Sequence, residues 1–153
     1  MPLKIGLDTS FVVGLLDDKD IWHVPALELQ AAFQTREGQL YIFDCVLSEV
    51  ISTLARRTHE KRRQAELTTL LEHLKIQFPA NSITWLYPDL PRIYEEVVGL
   101  VQLSMGELNF NDALIALSCR NRNIPYLASF DPDFDQLNWL KRVAIPTDLS
   151  ATI

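Results

Sequence analysis

Glycine is scarce, with five in 153 residues. The one glycine near the first apolar run, Gly6, precedes Asp8, so no glycine-rich phosphate cradle follows that run. Cysteine is rarer still. Cys45 and Cys119 sit inside apolar segments without CxxC spacing. They read as two buried free thiols, and the reducing cytoplasm is the expected compartment. His23, His59 and His73 form no HExxH pattern, and neither cysteine lies near them, which argues against zinc. There is no G-x-S-x-G elbow. Long apolar runs are missing as well. The longest uncharged stretch, 76–88, contains Pro79, Asn81 and Ser82, whereas a bilayer-spanning helix needs about 20 apolar residues. The apolar start is interrupted by Asp8 and followed by Asp17 and Asp18, unlike a signal peptide. Positive charge is in deficit, 14 basic residues against 20 acidic, for a net charge of −6. That excludes a general nucleic-acid coat but not a nucleic-acid enzyme, whose contacts are local.

What is present is a globular composition, 48% hydrophobic and 22% charged. The length suits one domain over 1–153 and is too short for a typical (β/α)₈ barrel of about 250 residues. Residues 3–7, 40–43, 83–87, 125–129 and 143–145 read as short strands. Helical patterns fill the intervals. One is capped by Thr9 or Ser10 and runs to 16, and another covers 21–35. Two more lie in the Gly- and Pro-free stretch 39–78, on either side of a polar bend at 57–64. A fifth spans 91–104, and a sixth is capped by Asn111. Strands alternating with helices imply an α/β sandwich around a mostly parallel sheet.

Single acids stand beside these apolar runs. Asp8 follows the first strand directly. Glu49 lies in the helix after the second strand, among Val46, Leu47, Val50 and Ile51. Asp112 opens a late helix, and Asp131 follows the 125–129 strand. Ligands of open parallel sheets bind beyond the carboxyl ends of the strands. Each acid alone has a plain reading: a helix cap, a solvated charge, a dipole partner, a turn. Together they would form a carboxylate cluster. Two carboxylates about 4 Å apart repel by roughly 4 kcal/mol at an effective dielectric of 20. Such a cluster is protonated or neutralised by a cation, and all-oxygen ligands suit hard ions such as Mg²⁺ or Mn²⁺.

The segments Leu7-Asp8-Thr9-Ser10-Phe11, Ser48-Glu49-Val50, Asn111-Asp112-Ala113-Leu114-Ile115-Ala116 and Ser129-Phe130-Asp131-Pro132-Asp133-Phe134 resemble the four motifs of PIN domains. More narrowly, they resemble the VapC-type toxins of bacterial and archaeal toxin–antitoxin pairs. The resemblance spans 3–146. It implies a three-layer α/β/α Rossmann-like fold and a Mg²⁺- or Mn²⁺-dependent endoribonuclease leaving 5′-phosphate and 3′-hydroxyl ends. It carries Asp8, Glu49, Asp112 and Asp131 over as the acidic site. Asp8 and Asp112 are expected as direct metal ligands, Asp131 as a ligand directly or through water, and Glu49 as the group that positions water. Asp133 and Asp135 stand behind Asp131 as candidates. Thr9 or Ser10 supplies the polar residue after the first acid, and Ser129 stands where the family usually has Thr. These three, with Arg56, are the expected substrate-side residues. An RNA substrate, a cognate antitoxin whose Arg or Lys enters the cleft, and a homodimer, common in the family, are the partners implied.

The segment 56–63 is the one basic island, with five basic residues and one acid. Arg56 lies two helical turns after Glu49, some 10 Å along the same face, where it suits an RNA phosphate. Arg120 and Arg122 are further candidates. Asp131, Asp133 and Asp135 mimic a calcium hand, but Gln136 and Arg142 stand where Gly and Glu are needed. Trp22, Trp85 and Trp139 read as core or interface residues. Two rivals remain: a non-catalytic PIN-fold module that binds RNA or protein, and another metal-dependent phosphoesterase.

Overall fold

The computed structural model describes residues 2–152. Five strands form one sheet: β1 (Lys4–Leu7), β2 (Gln39–Phe43), β3 (Ile83–Thr84), β4 (Tyr126–Ala128) and β5 (Lys141–Val143). Their order is β3-β2-β1-β4-β5, and every pairing is parallel. Six α-helices connect them: α1 (Thr9–Leu16), α2 (His23–Thr35), α3 (Asp44–Glu60), α4 (Gln64–Gln77), α5 (Leu90–Leu103) and α6 (Phe110–Asn121). This is the expected α/β architecture, with helices flanking the sheet. The core runs through Ile5, Leu7, Phe11, Phe43, Val46, Leu114, Ile115 and Leu127, all at most 1% exposed. The central strands read as apolar runs because parallel sheets are covered on both faces.

The strand order places the topological switch point between β1 and β4, which pair through Leu7 and Ala128. Beyond that pair the Asp8 N–H donates to the Ala128 carbonyl at 3.0 Å, so the ladder continues to the first acid. Gly6 permits α6 to lie close to the sheet. A Cβ at this position would meet Cys119 Sγ at 3.0 Å and Leu127 Cδ1 at 3.3 Å. Both cysteines are buried and free, as expected.

Several boundaries differ from the sequence reading, and three of them shift through a carboxylate or amide that competes for backbone N–H groups. The 83–87 strand stops at Thr84, because Leu86 and Tyr87 donate their N–H groups to Asp44 Oδ2, both at 2.9 Å. The last strand covers 141–143 rather than 143–145, since Ala144 and Ile145 donate to Asp148 Oδ2 at 2.8 and 3.1 Å. The cap of α6 is Asn109, not Asn111. Asn109 Oδ1 accepts the Asp112 N–H at 2.8 Å and Asp112 Oδ2 accepts the Asn109 N–H at 3.2 Å, a reciprocal capping box. The polar bend is real and short: α3 ends at Glu60, and Arg62 takes a left-handed φ of 55° before α4. Among the described residues no helix is long and apolar enough to cross a membrane.

Candidate active site

A cleft of about 290 Å³ opens at the carboxyl ends of β1 and β4, and Asp8, Glu49, Asp112 and Asp131 all line it. Each comes from a different segment: the end of β1, the second turn of α3, the first turn of α6 and the turn after β4. The fold thus gathers the four acids the sequence singles out.

Asp8 occupies the N-cap position of α1, yet its side chain makes no cap hydrogen bond. Instead Oδ2 accepts from Ser129 Oγ at 2.6 Å and from Ser10 Oγ at 3.1 Å. Both hydroxyls are themselves held. Ser129 Oγ accepts the Asp131 N–H and Ser10 Oγ accepts the Phe130 N–H, each at 3.0 Å. The turn after β4 and the start of α1 are therefore tied together around one carboxylate. Asp8 is 5% exposed, and burial pushes its pKa up to about 6. The hydroxyls of Ser129 and Ser10 pull it back down, and the charge of Glu49 adds to the rise. Asp112 is raised to about 7, first by burial and then by the charges of Asp8, Asp131 and Glu49; its bond with Asn109 opposes the rise. Two carboxyls titrating near neutrality, each raised by its acid neighbours, mark a shared and repulsive site.

The other expected residues divide. Ser10 is the polar residue that serves the first acid. Thr9 Oγ1 is buried without a hydrogen-bond partner. Ser129 is fully buried, so its hydroxyl meets Asp8 rather than the open cleft. Arg56 lines the cleft beside Glu49 and makes no ion pair among the described residues, while its neighbour Arg57 is paired with Asp20. Arg63 is committed to Asp17 and Glu66. Arg120 pairs with Glu96 and lies over the Trp139 ring, and Arg122 pairs with Asp89, so neither reaches the acids. Asp135 is bound to Arg142 at 2.9 and 3.0 Å, which holds its pKa down. Asp133 is exposed, and neither it nor Asp135 lines the cleft. Asp20, Trp22 and Asn109 line it as well. Of these, Asn109 carried a readable signal, the N-x-x-D capping pattern.

The donor chemistry fits a hard divalent cation. Asp112 uses only Oδ2 and Asp131 only Oδ1 for hydrogen bonds, and their second oxygens have no protein donor. Among the described residues no three acidic, His or Cys side chains close into a tight ligand set. Mg²⁺ asks less of a protein, keeping several waters and needing only one or two carboxylates.

The PIN domain family model matches residues 5–140. The chain belongs to the PIN-domain family. Among solved structures, it is similar to that of the Mycobacterium tuberculosis VapC20, a sarcin–ricin loop cleaving toxin. The two are 23% identical and superpose with a TM-score of 0.67, over 88% of this chain and 95% of that one. This likeness shows the PIN fold. No curated protein sequence matches the chain significantly.

Proposed function

We propose that this PIN domain is a divalent-metal-dependent endoribonuclease and the toxin of a toxin–antitoxin pair. The observation that carries the reading is the convergence of Asp8, Glu49, Asp112 and Asp131 from four segments onto one cleft at the switch point. The likeness to a toxin that cleaves the sarcin–ricin loop supports RNA as the substrate.

Asp8, Asp112 and Asp131 would hold Mg²⁺ or Mn²⁺. When bound, the ion lowers the pKa of water and neutralises charge developing on the phosphate and leaving oxygens. Ser129 and Ser10 keep Asp8 ionised and fixed, so it offers a carboxylate rather than a carboxylic acid. Glu49 orients the attacking water in line with the scissile P–O3′ bond. Attack forms a new P–O bond and breaks P–O3′, leaving a 5′-phosphate and a 3′-hydroxyl. Arg56, unpaired and beside Glu49, holds an adjacent phosphate of the strand.

An antitoxin would silence the site by covering the cleft and placing a cation among the carboxylates, where a charge-assisted bond is strongest. Cleavage of cellular RNA by the purified chain with Mg²⁺, Mn²⁺ or EDTA, beside Asp8→Asn, tests the proposal. Metal-dependent fragments lost in the variant are expected. RNA binding that tolerates loss of the acids, with no cleavage, would identify a binding module instead.

A further inference from the structure

Trp22 is an oddity of the acid cleft. Its indole is 40% exposed, although the other residues lining the cleft are mostly charged or polar. One ring face is stacked on Phe130, with centroids 4.7 Å apart and planes 6° from parallel. Phe130 is 8% exposed, so a buried ring backs a partly exposed tryptophan.

The Trp22 backbone, from which the indole projects, is also held. A Cβ at Gly14 would meet the Trp22 carbonyl oxygen at 3.1 Å and its Cβ at 3.2 Å, so glycine lets this residue press against α1. The Trp22 N–H donates to Asp20 Oδ1 at 2.8 Å, and the same carboxylate pairs with Arg57. From below, the Phe130 N–H donates to Ser10 Oγ, which donates in turn to Asp8. The aromatic pair and the first acid thus share one hydrogen-bonded frame. A large apolar ring kept rigid and half-open in a polar cleft forgoes part of its burial energy, which a flat apolar ligand would recover.

We infer that Trp22, backed by Phe130, is a stacking subsite for the base of an unpaired nucleotide beside the scissile phosphate. This rests on the nuclease reading of the cleft. An indole face accepts any base, so the subsite selects unpaired over paired nucleotides rather than one sequence. Arg56 lines the same cleft and takes the backbone, giving the combination of cation and aromatic platform that single-strand binders use. Loss of one such stack costs about 5- to 150-fold in affinity.

The test measures binding of a short unpaired oligoribonucleotide in Ca²⁺, with the RNA checked intact after titration. It is repeated with oligonucleotides lacking one base at successive positions. Trp22→Leu keeps apolar bulk over Phe130 without a π-face, Trp22→Phe keeps a ring, and Trp85→Phe serves as control, since Trp85 lies outside the cleft. Expected are a 5- to 150-fold weaker affinity for Trp22→Leu and near-normal affinity for Trp22→Phe and Trp85→Phe. One abasic position should weaken the wild type equally and cost Trp22→Leu nothing more. Wild-type affinity in Trp22→Leu, an abasic penalty that survives in it, or no binding by the wild type would overturn the subsite. So would an indole that serves a protein contact, because RNA affinity would then ignore Trp22. Cleavage in Mg²⁺ separates the two readings. RNA bound through Trp22 but never cut retires the nuclease and keeps the subsite, whereas equal cutting by wild type and Trp22→Leu does the reverse.

Discussion

Ser129 donates a 2.6 Å hydrogen bond to Asp8, a residue 121 positions earlier in the chain. The bond crosses the switch point between β1 and β4 and is fully buried at its serine end. It lowers the pKa of a carboxyl that burial alone would drive higher. Ser129→Ala should therefore move the acid limb of the cleavage pH profile upward and weaken Mg²⁺ binding about 10- to 100-fold, the usual effect of losing a ligand's supporting bond. Ser129→Thr should restore both. A pH–rate profile with metal titration checks this, and an unmoved acid limb would mean that Ser129 only packs.

The raised acids set the sign of the pH dependence of stability. Asp8, at about 6, and Asp112, at about 7, bind protons more tightly folded than unfolded. In EDTA, stability should thus fall as pH rises from about 4 to 7. Asp17 and Asp135, held low by Arg63 and Arg142, act oppositely, and their contribution is lost only as pH drops below the ordinary carboxylate range. Thermal unfolding across pH should show a maximum on the acid side of neutrality. Asp112→Asn should flatten the neutral limb, and Mg²⁺ should raise Tm most above pH 7, where the carboxyls need not release protons.

Arg56 lines the cleft without an ion pair among the described residues, whereas Arg57 pairs with Asp20. If it holds one phosphate, Arg56→Ala should reduce the slope of log K against log salt by about 0.7, the value for one contact on a single strand. RNA affinity measured at several salt concentrations gives that slope. An unchanged slope would assign Arg56 to solvent.

Arg63 ties the turn between α3 and α4 to Asp17, whose carboxyl side chain is 3% exposed, and also pairs with Glu66. Removing it leaves a buried unpaired carboxylate. Arg63→Ala should cost about 3 kcal/mol at pH 7 and less near pH 3, because the unpaired buried carboxyl of the variant can take up a proton there. Denaturant unfolding at the two pH values measures the difference.

The sheet and the four acids were legible because they rest on local signals: apolar runs, an acid directly after a strand, and helix patterns between. Long-range capture of backbone groups was not. Nothing near Leu86 announces that Asp44, 42 positions away, takes its N–H and ends β3. The end of β5 at Val143 is by contrast a local event, since Asp148 lies four residues from the Ala144 N–H it accepts. Arg56 faces the cleft as its spacing from Glu49 indicates, but the rest of the basic island is partly spent on Asp17, Asp20 and Glu66. Glu66 is three residues from Arg63, but Asp17 and Asp20 lie 46 and 37 positions from their arginines, so sequence spacing could not separate free cations from paired ones. Trp22 carries no local signal of its place in the cleft, because its stack on Phe130 joins residues far apart in the chain.

The proposed activity is cleavage of RNA by these four carboxylates with a divalent metal. The most direct measurement incubates RNA with the wild type, Asp8→Asn and Asp112→Asn in Mg²⁺, Mn²⁺ and EDTA, and maps the fragment ends. Expected are discrete fragments with 5′-phosphates, absent in EDTA and reduced at least about a hundredfold in either variant while both remain folded. Cleavage that persists in EDTA, or in both folded variants, would contradict the assignment.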